Sequence, residues 1–184
     1  MIEIRINGRG GQGVKTTSEL IAETALDEDK FIQAFPEYGP ERSGAPVAAF
    51  VKISDKKILS HSPIKHAEVV LVIDDSLLNE GIVKNIAHTC IIIINTNKSQ
   101  NEVLKKLGFK GKVYLIDATK ISLEEMGKNL PGLVLIGSLI KVSKGMIKLN
   151  HFEKRVKEIF GRKGKDVVDA NLKAIKRGYD EIKD

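Results

Sequence analysis

Isoleucines at positions 2, 4 and 6 alternate with polar residues, which predicts a short strand over 2–7. That strand runs into Gly8-Arg9-Gly10-Gly11-Gln12-Gly13, too rich in glycine for regular structure. Leu20, Ile21, Ala25 and Leu26 then recur at helical spacing, so a helix is expected with Thr16, Thr17 or Ser18 near its start. Phe31 and Ile32 read as strand. Phe35 through Pro46 carries three prolines and two glycines and is expected to be a loop. Val47–Ile53 and Lys57–Ser60 flank the polar Ser54-Asp55-Lys56, the pattern of a β-hairpin.

Beyond residue 60 the rhythm changes. Val69 to Ile73 is an unbroken apolar run ending in Asp74-Asp75, the mark of a strand buried on both faces. Leu77–Ala87 has helical spacing, Cys90–Ile94 is a second buried strand, Glu102–Leu107 a helix, and Val113–Ile116 a third strand closing on Asp117. Such a β-α-β-α-β order calls for parallel crossovers. Helical patterns follow over Leu123–Met126, Leu133–Val142, Phe152–Phe160 and Val167–Ile182. The expected fold is α/β: a three-layer sandwich with a mostly parallel sheet, a β-hairpin and a helical C-terminus. No internal repeat or linker divides it, so residues 1–184 are expected to form a single domain.

Composition narrows the function. A chain of 184 residues can bury one core without disulfides or metal. Its single cysteine, Cys90, excludes a disulfide framework, a cysteine-rich zinc site and an iron–sulfur cluster held by this chain alone. The longest apolar stretch, Leu130–Ile140, is broken by Pro131, Gly132 and Gly137 and is too short to span a bilayer. No export signal is evident, so a cytoplasmic protein without membrane contact is expected. From Lys141 to Asp184 there are 13 Lys/Arg against 7 Asp/Glu, so the whole net charge of +6 lies in the last quarter. No aromatic residues are interleaved with these lysines as a nucleic-acid site would have them, and solvated helix faces are the expected reading.

The glycine-rich segment is the strongest chemical signal. Gly8, Gly10 and Gly13 satisfy G-x-G-x-x-G between a strand and a helix, where backbone N–H groups and the helix dipole favour an anion. A P-loop is excluded because Val14 follows Gly13 where lysine is required. Asp27, Glu28 and Asp29 lie near where a ribose-binding acid would stand, which leaves open a freestanding nucleotide-binding protein of Rossmann type. They also suit a solvated turn. The segment containing Phe35, Tyr38, Glu41 and Arg42 combines aromatic, charged and rigidifying residues and is expected to contact a partner. His61, His66, His88 and His151 show no metal spacing, and Asp74, Asp75 and Asp117 are expected to cap the elements that follow them.

The glycine-rich segment followed by Gln33-Ala34-Phe35-Pro36-Glu37-Tyr38-Gly39-Pro40-Glu41-Arg42-Ser43-Gly44-Ala45-Pro46-Val47 closely resembles the gamma subunits of 2-oxoacid:ferredoxin oxidoreductases, the pyruvate and 2-oxoisovalerate branches above all. The likeness extends over essentially the whole chain, through Asp74 and Asp117-Ala118-Thr119-Lys120. It implies one part of an enzyme that decarboxylates a 2-oxoacid on thiamine diphosphate, passes electrons through iron–sulfur clusters to ferredoxin and releases an acyl-CoA. Thiamine diphosphate, magnesium and the clusters would belong to partner subunits (alpha, beta and delta), with no cofactor or metal on this chain. The gamma part would cover the active site and help bind CoA. Arg9 is then expected to pair with a phosphate, Gln12 to hydrogen-bond near the reacting centre, and Gly10, Gly11 and Gly13 to offer backbone N–H groups. No catalytic residue is expected here, and the isolated chain is expected to be inactive.

Overall fold

Residues 1–37, 44–59, 64–143 and 145–183 are described by a computed structural model of the chain. Six strands are formed by Ile2–Arg9 (β1), Phe31–Glu37 (β2), Pro46–Ser54 (β3), Ala67–Val72 (β4), Ile86–Asn95 (β5) and Lys112–Ile116 (β6). They make one sheet in the order β2-β3-β1-β4-β5-β6. β1, β4, β5 and β6 are mutually parallel, while β3 runs antiparallel to both β1 and β2. Six helices complete the fold: α1 Val14–Leu26, α2 Gln100–Leu107, α3 Ala118–Met126, α4 Pro131–Val142, α5 Leu149–Phe160 and α6 Lys165–Glu181.

The strand period of two sorts the sheet into its faces. Ile4, Ile6, Val51, Ile53, Val69, Leu71 and Ile93 turn to one side and pack with α1, α3, α4, α5 and α6. Phe50, Val70, Val72, Ile92, Ile94 and Val113 turn to the other, against Val103 and Leu107 of α2 and against Leu78 and Ile82. This is the expected three-layer α/β sandwich with a mostly parallel sheet and a helical C-terminus. Pro131 through Ile140 of α4 are all buried, which explains why that helix is apolar on every side. Each fully buried Ile or Leu in these layers contributes about 1.5–3 kcal/mol.

Three local expectations are corrected. The hairpin of β3 is made with β2, which precedes it, and Lys57–Leu59 is irregular. Phe35, Pro36 and Glu37 are accordingly the end of β2 and not loop, and Pro46 opens β3. Pro36 can sit there because β2 is the edge of the sheet, where a missing ladder donor is tolerated. Leu77–Ala87 is no α-helix. Two 3-10 turns, Asp75–Leu77 and Glu80–Val83, occupy it, and β5 begins at Ile86. Asn79 breaks the run by capping the second turn through Gly81 N–H, and Asn85 takes φ 55°.

Candidate functional site

The chain goes from β1 through α1 to the outer strands β2 and β3, while β4 lies on the opposite flank of β1. The carboxyl ends of β1 and β4 therefore form a topological switch point, where open α/β sheets leave a crevice. A cleft of about 390 Å³ is found there. Gly11 and Gln12 contribute from β1's end, Asp74 and Asp75 from β4's, Asn95 and Thr96 from β5's, and Asp117 and Thr119 from β6's.

The glycine-rich segment forms the rim. Gly11 has φ 93° and Gly13 φ 79°, backbone that side chains disfavour. Gly13 occupies the N-cap of α1, so the helix starts without a side-chain cap. Thr16, Thr17 and Ser18 lie in the first turns of the helix, as expected, and Thr17 Oγ1 donates to Gly13 O at 2.9 Å and Ser18 Oγ to Lys15 O at 2.7 Å, inside the helix and not as caps. Gly8 is needed for a different reason. A Cβ there would stand 2.6 Å from Val14 Cγ2 and 3.2 Å from Ile73 Cβ.

A hydrogen-bonded frame holds the rim. Gln12 Oε1 accepts from Arg9 N–H at 2.7 Å, and Gln12 Nε2 donates to Asp74 Oδ2 at 2.6 Å. The Arg9 guanidinium donates to Ser76 Oγ through Nε and Nη2, and to Gly44 O through Nη1. Its Nε also lies 3.4 Å from Asp74 Oδ2. Gly10 N–H donates to Ala45 O, and Gly44 N–H to Gly10 O. The two motif segments are thus joined directly, and β4's end holds the glycine-rich one through Arg9 and Gln12. Gly11 and Gly13 N–H meet no acceptor among the described residues.

Behind the rim, the aspartates act as caps. Asp74 Oδ1 accepts from Ser76 N–H and Asp117 Oδ1 from Lys120 N–H, as expected of residues that start the next turn. Asp75 Oδ2 instead accepts from Thr96 Oγ1 and Lys98 Nζ, both at 2.6 Å. Burial works to raise both the Asp74 and Asp75 carboxyls. Hydrogen bonds from Ser76 and Gln12 with the Arg9 charge, and from Lys98 and Thr96 with the Lys98 charge, outweigh it and hold each below the ordinary carboxylate value. Asn95 is the buried residue that sequence reasoning missed. Its Nδ2 donates to Ile73 O and Thr119 Oγ1, and its Oδ1 accepts from Thr119 N–H, tying β4, β5 and α3 together behind the cleft. The signal was present: a polar Asn-Thr-Asn step closing an apolar strand.

Comparisons with known proteins decide what this architecture is. A profile of pyruvate ferredoxin/flavodoxin oxidoreductases matches residues 3–181. The chain belongs to this family. It is 44% identical over 182 residues to pyruvate synthase subunit PorC of Thermotoga maritima, covering 98% of this chain and 94% of that protein. It is 41% identical to the pyruvate/ketoisovalerate oxidoreductases common subunit gamma of Thermococcus kodakarensis, over 98% and 97% of the two chains. The crystal structure of pyruvate oxidoreductase subunit PORC from Thermotoga maritima superposes with a TM-score of 0.89 at 42% identity, over 99% and 97% of the chains. A 2-oxoglutarate:ferredoxin oxidoreductase from Magnetococcus marinus shares the fold with a TM-score of 0.79 at 20% identity, 96% of this chain matching 30% of that one.

Within this family member the remaining candidates fall elsewhere. Asp27, Glu28 and Asp29 stand at the far end of α1, about 20 Å of helix from the rim. Asp27 pairs with Arg155, and Glu28 Oε1 accepts from Lys148 N–H at 2.7 Å, so both tie α1 to α5. In addition β3 separates β2 from β1, so the strand after α1 does not lie beside the glycine turn as a dinucleotide site requires. The freestanding nucleotide-binding reading has no geometric support. Phe35 is half-buried, its ring 5.4 Å from that of Phe50. Tyr38, Glu41, Arg42 and His61 lie outside the described residues. Cys90 is buried, which pushes its thiol up to about 11 and makes it a packing residue. Among the described residues no group of three His, Cys, Asp or Glu is placed to hold a metal, and no helix is long and apolar enough to cross a membrane.

Proposed function

We propose that this chain is the gamma subunit of a cytoplasmic, multi-subunit pyruvate-type 2-oxoacid:ferredoxin oxidoreductase, and that its glycine-rich rim helps bind CoA over the active site. The overall reaction converts a 2-oxoacid anion, CoA and two oxidised ferredoxins into an acyl-CoA, CO2, a proton and two ferredoxins each reduced by one electron. The iron–sulfur clusters fall to the partner alpha, beta and delta subunits, because one buried cysteine does not fit a cluster, and thiamine diphosphate and magnesium are proposed to lie there with them. When bound, CoA supplies the thiol that accepts the acyl group.

The observation that carries the reading is the open turn at the switch point. Gly11 has positive φ and nothing within 4 Å of the position of a Cβ, so its backbone is free to be approached closely. Free N–H groups at the start of α1 suit a phosphate or carbonyl oxygen. Asp74, Asp75 and Asp117 line the cleft behind, so anionic groups belong on the rim and hydroxyl or amide donors toward the carboxylates. Gln12 has both ends of its amide engaged within the chain, and the Arg9 guanidinium is held by Ser76 and Gly44. Both therefore shape the rim. The Magnetococcus enzyme that shares this fold was solved with coenzyme A and succinyl-CoA bound, which supports the same assignment.

The test is depletion and add-back. The native complex is purified untagged, this subunit is removed and then restored. The reading expects the partner chains to co-purify, and CoA-dependent ferredoxin reduction with pyruvate to be lost on removal and regained on return. The isolated chain should be silent. Full activity in a complex lacking this chain would overturn the assignment.

A further inference from the structure

We propose that Asp74 is a positioning residue for CoA use: its carboxylate sets Gln12, and through Gln12 the peptide of Arg9, so that the turn presents Gly11 outward. The inference rests on the reading that the rim faces CoA.

The two oxygens of Asp74 do different work. Oδ1 accepts from Ser76 N–H at 2.9 Å, which starts the following 3-10 turn and needs nothing from the rim. Oδ2 accepts from Gln12 Nε2 at 2.6 Å and faces Arg9 Nε at 3.4 Å, across 62 residues of sequence. A cap alone would explain the first contact and leave the second without a purpose. The second contact has a definite consequence. With its Nε2 held, Gln12 keeps Oε1 on Arg9 N–H at 2.7 Å, folding the side chain back under the turn. The backbone between them, Gly10 and Gly11, must then arch away from Asp74. Gln12 N–H closes the same arch on Arg9 O at 3.1 Å. Released from Asp74, the Gln12 amide would be free to rotate into the cleft and occupy the space the rim keeps open.

The hydrogen-bond polarity supplies a stringent test. Asp74→Asn keeps the shape, but its amide can serve only one of the two neighbours. If its oxygen stays on Ser76 N–H, its NH2 faces the Gln12 NH2, donor against donor. Adding Gln12→Glu reverses the bond: the amide at position 74 donates, and the introduced carboxylate at position 12 accepts from it and from Arg9 N–H.

The experiment measures kcat and the KM for CoA in the reconstituted complex for wild type, Asp74→Asn, the Asp74→Asn/Gln12→Glu pair and Gly11→Val. Asp74→Asn is expected to raise the KM for CoA about tenfold, the scale of one lost hydrogen bond to a charged group, with kcat changed less than about twofold. The swapped pair should return the KM to within about threefold of wild type. A merely structural carboxylate would lower assembly or stability without moving the KM, and the swap would not rescue it. An unmoved KM for Asp74→Asn beside a raised KM for Gly11→Val overturns the positioning role alone. Unmoved values for both overturn the CoA reading beneath it. If Asp74→Asn fails to assemble, the swapped pair decides: recovery of assembly with a near-normal KM supports the proposal, and continued failure contradicts it.

Discussion

Gly11 and Gly13 at the cleft mouth have left-handed backbone, and nothing lies within 4 Å of where a Cβ would be. Gly137 and Gly178, where α4 meets α6, are the reverse. Their backbone is ordinary helix, but a Cβ would stand 2.2 Å from Ile175 O and 2.1 Å from Val134 O respectively. Between them Ser138 Oγ donates to Gly178 O at 2.8 Å, so even the polar contact crosses the seam at close range. The two pairs use glycine for unrelated purposes. At the seam it allows two backbones to approach, and any side chain must push a buried helix off its neighbour. At the rim it leaves a strained turn bare, and a side chain there obstructs only what comes from outside. Damage at the first region should fall on the fold, and at the second on function.

The largest effect is expected at the seam. Gly178→Ala should destabilise the purified chain by about 3 kcal/mol, since a main-chain carbonyl cannot turn aside as a flexible side chain would. The roughly 1 kcal/mol of helix propensity gained by alanine offsets only part. A thermal melt should show a drop of about 6–12 °C for a chain of this size. A Tm within about 2 °C of wild type would mean that α4 and α6 are not packed this closely.

A smaller effect is expected where α1 ends against α5. Asp27→Ala removes a two-point ion pair with Arg155 and should cost about 1 kcal/mol, since both groups are partly exposed. Calorimetric titration with NAD should show no binding by either form. A micromolar isotherm abolished by Asp27→Ala would restore the dinucleotide reading and make the rim something other than a CoA site.

The smallest effect sharpens the rim. The folded-state Asp74 carboxyl lies below its ordinary value, so its contribution to stability is complete above about pH 4 and fades as pH falls through the lower folded value. Asp74→Asn should therefore melt below wild type at pH 7, and the gap should narrow as the pH falls below about 4. A gap constant over that range would mean that the charge of Asp74 adds nothing to holding the turn.

The same contrast explains what could be read in the residues. Apolar runs such as Val69–Ile73 and Cys90–Ile94 announced buried parallel strands because their burial on both faces leaves no alternation, and the structure has them as β4 and the core of β5. The glycine turn was legible because positive φ at two positions restricts residue choice strongly. β2 was cut short because Pro36 reads as a breaker unless the strand is known to be an edge, which depends on the whole sheet. The segment before β5 has helical spacing in its apolar residues, but Asn79 and Asn85 set the backbone locally. At the site, sequence could name Arg9, Gln12 and Asp74 but not their connection. Sixty-two residues separate Gln12 from Asp74, and only the β1–β4 pairing brings them together. Arg9 was expected to pair with a phosphate and Gln12 to hydrogen-bond near the reacting centre; their bonds to Ser76, Gly44 and Asp74 within the chain could not be read from the residues. For Phe35 the error was one of context: the same ring that suits an exposed loop suits a pair with Phe50 in a sheet.

The most direct measurement compares Gly11→Val with wild type in the assembled complex, as a CoA series under steady-state turnover with pyruvate and ferredoxin, beside a melt of the free subunit. Positive φ at Gly11 should cost the variant about 1–3 kcal/mol, leaving a chain of ordinary stability folded. The account predicts that subunits still associate and that the CoA requirement rises at least about tenfold, or activity is lost. Unchanged kinetics for CoA in an intact complex would contradict it and reduce the rim to a turn between a strand and a helix.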